Sequence, residues 1–272
     1  MQNSLNIQQK INQPAAADII GERVFGQSEA IQTILEYLRR PKTGLKKPRG
    51  VFIFLGPAGV GKTELAKVLA EYIYSTAVTI QRFNAEDLIP AKILKISDSA
   101  RVLVIEEIEK ADSEVLSKLE KLFSQPSDLL IILTSQIGSQ TILEASGKIT
   151  PAVRKKILGL LAYSFSPEFL DQVDEIIMFH SLTVEDLRAI VDFQLAQFSA
   201  QFIKRQIKFS ISAAARDYLA EQAYAPTQGA RPLNRLLQTK VFSQLTEQIT
   251  QGKIKDRATV RIELKGDKIE FK

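Results

Sequence analysis

"VFIFLGPAGVGKTELAK", residues 51–67, decides how the rest of the chain is read. Val51 to Leu55 form an apolar run of strand length, which passes without a break into a glycine-rich turn and then a helical pattern. Gly56, Gly59 and Gly61 let the backbone curl until its N–H groups converge, as a chain of phosphates requires. Lys62 adds a cation at that point, and Thr63 offers a hydroxyl suited to magnesium. The helix that opens there turns its positive end towards the same anions. The stretch points to ATP or ADP with Mg2+. The residues expected against the nucleotide are Gly56, Pro57, Ala58, Gly59, Val60, Gly61, Lys62, Thr63 and Glu64.

Such a cradle is half of a site, and the other half is a carboxylate pair at the end of a neighbouring strand. "VLVIEEIEKAD", residues 102–112, supplies Glu106 and Glu107 after four apolar residues. Glu106 is expected to orient the metal together with Thr63, and Glu107 to polarise the attacking water. Glu109 and Lys110 read as a solvated face. "LLIILTSQ", residues 129–136, ends in Thr134, Ser135 and Gln136. Gln136 is the candidate to reach the terminal phosphate or its water, although a polar strand end reads equally well as an ordinary turn.

Further out, strand-like runs at 51–55, 78–83, 102–105, 129–134 and 176–179 alternate with helical patterns such as 62–74 and 113–123. That alternation predicts an α/β domain with a five-stranded parallel sheet covered on both faces. After Leu182 the pattern becomes helical, over 183–205, 212–224 and 230–249, and closes with a β-hairpin over 258–272 around a Gly-Asp turn. The expected divisions are an arm or leading helix at 1–20, a large α/β nucleotide-binding domain at 21–181 and a small, mostly helical domain at 182–272.

Composition narrows the chemistry. The 272 residues include no cysteine, which removes disulfides, thiol catalysis and cysteine-held zinc. The single histidine, His180, has no second histidine beside which to ligate a metal and reads as structural. The longest apolar stretches are far short of the ~20 residues that cross a bilayer, and the first residues lack the apolar core of a secretory signal, so no membrane and cytoplasmic residence are expected. Part of the net charge of +5 lies in "RRPKTGLKKPRG", residues 39–50. Nucleic-acid phosphates are a possible partner for it, but the prolines, glycines and lack of aromatics favour a solvated connector.

The strings "ERVFGQSEAI", "GPAGVGKTELAK", "VIEEIEKAD", "LTSQIGS", "FSPEFLDQVDEIIMFHSL" and "GARPLNRLLQ" occur in this order and cover most of the chain. Together they resemble the AAA+ ATPases, and within them the C-terminal ATPase module of Clp-type disaggregases. The resemblance implies that Val24 and Phe25 lie by the adenine and that Gln136 is the sensor on the third motif strand. It also implies that Arg231 in "GARPL" reads the nucleotide from the small domain, coupling nucleotide state to domain angle.

The chain departs from that family at informative places. Where the family carries an arginine that reaches a neighbouring subunit's site, this chain has Gln172, preceded by Asp171. An arginine finger is worth about 10³- to 10⁵-fold in turnover, which an amide does not replace. Residues 84–100, where the family carries a substrate-gripping loop, hold neither glycine nor aromatic. Glu106 and Gln136 stand for an aspartate and an asparagine, each one methylene longer. These departures predict a slow or partner-dependent ATPase, with self-association or a protein partner and without polypeptide threading, by analogy with torsin-type relatives. An orthodox homohexameric unfoldase is the second reading and a nucleic-acid-associated assembly ATPase the third.

Overall fold

A computed structural model describes residues 9–40, 47–74, 79–93 and 100–272. The chain forms two compact units that divide between Ser181 and Leu182.

The first unit is built on five parallel strands: β1 (Gly50–Leu55), β2 (Thr79–Asn84), β3 (Ala100–Glu106), β4 (Leu130–Ser135) and β5 (Glu175–Met178). Their order is β2-β3-β4-β1-β5. All six residues of β1 and all six of β4 are buried. Continuous rather than alternating apolar runs are what a sheet covered on both faces selects. Tyr37 meets Phe52 edge-on at 5.1 Å, and Phe54 lies 5.2 Å from Phe179. β1 sits between β4 and β5, so the chain leaves it in one direction for the far strands and returns on the other side. A parallel sheet binds its ligand at this reversal, beyond the carboxyl ends of the strands.

Ile11, Ala16 and Ile20 are fully buried, so residues 9–20 belong to the body of the first unit. Arg39 Nε donates to Ile11 O at 3.0 Å, and the Tyr72 hydroxyl to Lys10 O at 2.8 Å. The basic stretch is anchored at both described ends: Arg40 stacks over Tyr37 and pairs with Glu175 at 3.3 Å, while buried Arg49 donates to Asp128 at 2.6 Å. Residues 41–46 lie outside the described residues, as do Val78 of the second expected strand and 94–99 of the expected substrate-loop position.

In the second unit, Thr183 caps the helix Val184–Ala200. Its hydroxyl accepts from the Asp186 N–H, and the Asp186 carboxylate accepts from the Thr183 backbone. The expected helix over 183–205 finishes as a separate 3-10 turn at Ile203–Arg205. The helical stretch from Arg231 to Thr250 contains a π-turn at Gln238–Phe242. The closing hairpin, β7 (Thr259–Lys265) with β8 (Lys268–Phe271), is joined by β6 (Lys208–Ile211), which pairs parallel to β7. Among the described residues no helix is long and apolar enough to cross a membrane.

Candidate nucleotide site

The glycine-rich turn leaves β1 and enters the helix Lys62–Tyr74. At φ +143°, Gly56 passes so close to β5 that a Cβ there would stand 2.5 Å from Phe179 O. Gly59 and Gly61 also take positive φ, at 70° and 107°. Lys62 Nζ folds back over the loop and donates to Gly56 O and, at 2.7 Å, to Pro57 O. The ammonium is therefore held by the carbonyls of the loop itself.

Thr63 Oγ1 donates to Glu106 Oε1 at 2.5 Å. The two groups expected at the metal thus meet across 43 residues of sequence. Glu107 follows with φ 56°, a left-handed turn that takes the chain off β3. Its Oε1 accepts from Gln136 Nε2 at 2.7 Å and its Oε2 lies 2.8 Å from Lys110 Nζ. The expected base and the expected sensor are in direct contact.

The solvated-face reading holds for Lys110, whose side chain is 48% exposed, and is corrected for Glu109, which is partly buried. Glu109 Oε1 accepts the backbone N–H of Gln136 at 2.9 Å, and Lys110 bridges Glu107 to Glu86 at 3.4 Å. Bonds to those two carboxylates hold the Lys110 ammonium above the usual lysine range. The left-handed turn at Glu107 redirects the chain so that Glu109 reaches the Gln136 backbone, while Lys110 stays in solvent beside its two carboxylates.

Three contributors escaped the sequence reading. Gln27 is fully buried and ties three segments together: its Nε2 donates to His180 O at 3.0 Å and to Val60 O at 3.3 Å, and its Oε1 accepts from His180 N at 3.2 Å. A buried amide on three backbone groups locks the loop to the end of β5. Arg23 bonds to Glu71 and, at 2.9 Å, to Glu64, fastening the segment that carries Val24 and Phe25 to the loop's helix. Arg82 Nη2 donates to Glu106 Oε2 at 2.5 Å. The only advance signal for Gln27 was an amide beside Val24 and Phe25 in "VFGQ"; Arg82 carried none.

Val24 is buried, and a Cβ on Gly61 would lie 3.6 Å from its Cγ1; Phe25 follows, partly exposed. Arg231 is exposed on the first turn of the helix Arg231–Leu237 in the second unit.

The donors present fit a magnesium nucleotide. Among the described residues no three acidic or histidine side chains converge as a metal cage. One carboxylate and one hydroxyl, with phosphate and water completing the shell, is how proteins hold Mg2+. Asn84 Oδ1 and Glu109 Oε2 are buried acceptors without a hydrogen-bond partner, and the water shell of such an ion is rich in donors. Thr63, Glu106 and Lys62 would hold the group.

Residues 52–151 match the family described as "ATPase family associated with various cellular activities (AAA)", and residues 182–262 match "C-terminal, D2-small domain, of ClpB protein". A Chaperone protein ClpB of Rhodopseudomonas palustris is 34% identical over 93% of this chain and 33% of its own length. Chaperone protein ClpB 1 of Synechococcus elongatus is 31% identical over 100% of this chain and 35% of its own. The chain thus spans about a third of the curated relatives it matches. Among solved structures, the extended conformation of the S. cerevisiae Hsp104:casein complex superposes with a TM-score of 0.81 at 25% identity, over 97% of this chain and 54% of that one. A closed-state reconstruction of Hsp104 with ATPγS and FITC casein gives 0.80 at 24%, over 94% and 51%. The two family matches follow one another along the chain in the order of its two units, and the chain belongs to the Clp-type AAA+ ATPases.

Proposed function

We propose that this chain binds Mg-ATP at the glycine-rich loop, hydrolyses it slowly unless a partner supplies a cation, and uses nucleotide state to control assembly rather than to thread polypeptide. The bound nucleotide brings the scissile anhydride and the metal that neutralises its charge. The chain's own part is to bind and orient. Gly56–Thr63 cradle the phosphates, and Glu106 with Thr63 orients the metal. Glu107, fixed by Gln136 and Lys110, is the group that takes a proton from water. Val24 and Phe25 are assigned to the adenine and Arg231 to the response of the small domain.

One observation carries the slow, partner-dependent part of this reading. Gln172, at the expected finger position, spends its amide within its own chain: Nε2 donates to Glu168 O at 3.3 Å, and Oε1 accepts from the Ser124 hydroxyl at 3.1 Å. It offers no positive charge to an adjoining phosphate. Similarity to ClpB chaperones favours the second reading, an orthodox homohexameric chaperone or unfoldase ATPase.

Turnover of the unaltered protein and of Gln172→Arg over a concentration series separates the two. The proposal expects little turnover from the former and a gain of at least tenfold from the latter that grows with concentration. Fast turnover by the unaltered protein, with unfolding of a model substrate, overturns it in favour of the unfoldase.

A further inference from the structure

Glu106 does more in this fold than meet the threonine of the loop. Its two oxygens are divided between two donors, Thr63 on Oε1 and the Arg82 guanidinium on Oε2. β2 and β3 run parallel with Asn84 opposite Glu106, and Arg82 lies two residues earlier on the same face of β2. β2 is the edge of the sheet, so the arginine approaches from solvent; its side chain is 54% exposed while that of Glu106 is 22% exposed. The longer arm of a glutamate lets one carboxylate span both donors.

Glu107 is treated the same way. It too is divided between a neutral donor, Gln136, and a cation of its own chain, Lys110. Each of the two adjacent acids of the site therefore pairs with a positive charge of its own chain. For Glu106 this has a direct electrostatic consequence. A guanidinium on the carboxylate cancels part of the charge that attracts a divalent ion, and it repels the ion itself.

We infer that Arg82 sets the magnesium affinity of the nucleotide site: it holds Glu106 as an ion pair and weakens the carboxylate's attraction for Mg2+, so that the metal arrives with nucleotide rather than alone. This inference rests on the nucleotide reading above and adds to it a residue that tunes the metal without touching it.

Binding of a fluorescent ATP analogue, titrated with MgCl2 and repeated in EDTA, tests it on the unaltered protein, Arg82→Gln, Arg82→Met and Arg82→Lys. The two neutral variants should reach half-saturation at about fivefold lower Mg2+, the size expected for one screened charge near a divalent ion. Arg82→Lys keeps the charge and should stay within about twofold of the unaltered protein. Metal-free binding in EDTA should not change. An unchanged or higher Mg2+ requirement in both neutral variants overturns the inference, the higher value meaning that Arg82 merely positions Glu106. Nucleotide binding that Lys62→Ala leaves untouched would instead overturn the reading of the site, and the inference with it.

Discussion

The two ends of the central sheet carry the same kind of ion pair and put it to different uses. At the amino end, Arg49 and Asp128 have side chains only 11% and 20% exposed, and the backbone on either side is tied down as well: the Tyr74 hydroxyl donates to Asp128 O at 3.1 Å, and the Arg49 N–H to Leu129 O at 2.9 Å. At the carboxyl end, Glu106 is as covered as Asp128, but its arginine, Arg82, is 54% exposed, and the buried acceptors Asn84 Oδ1 and Glu109 Oε2 have no donor. A closed pair cannot exchange its partner without unfolding, whereas an open one can. The difference separates the end that holds the sheet from the end that receives a ligand.

That contrast can be broken from either side. The largest effect belongs to Lys62→Ala, which removes the cation over the loop. ATP affinity should fall about 1,000-fold, or ~4 kcal/mol, in an equilibrium titration, while the unfolding midpoint hardly moves. Asp128→Ala should do the reverse. Leaving Arg49 buried without its carboxylate should cost about 3 kcal/mol in urea unfolding, with nucleotide affinity unchanged. The matching change at the open end, Arg82→Met, should alter stability by no more than about 0.5 kcal/mol. If both arginine–carboxylate pairs prove equally costly to break, the distinction between the ends fails.

A smaller effect sharpens the picture at the carboxyl end. Glu109→Ala removes the acceptor of the Gln136 backbone N–H and should lower turnover about tenfold with nucleotide affinity retained, because the amide facing Glu107 loses its anchor. Glu109→Gln keeps an acceptor oxygen and should restore most of that loss.

The smallest expected effect is alkaline. Tyr37, beside Asp174, and Tyr74 are both raised above the ordinary tyrosine range, in each case chiefly by burial. The unfolded chain then releases these protons before the folded one. Their contribution to stability is complete below about pH 10 and is lost as pH rises above it. Tyr37→Phe should flatten the decline in a stability profile taken from pH 9 to 11.

How much of this was legible in the chain depends on how far apart the partners lie. The loop from Gly56 to Thr63 is one local string whose spacing states its chemistry, and Glu106–Glu107 announce themselves by following four apolar residues. The strands were legible for the same reason, because each is a short apolar run between breakers. β6 was missed: Lys208–Ile211 is four residues, none of them buried, and it becomes a strand only by pairing with β7. Glu109 was misread because a single left-handed residue, Glu107, redirects the chain after it, and no glycine marks the place.

By itself the amino-acid sequence determined the order of the strands along the chain, the glycine-rich turn, the paired acids and the family, since each is written in adjacent residues. Only the tertiary structure decided that Arg82 meets Glu106, that Gln136 meets Glu107, and that Gln27 clasps both Val60 and His180. Those contacts span 24, 29, 33 and 153 residues, and strand register and order, not local spacing, choose the partner.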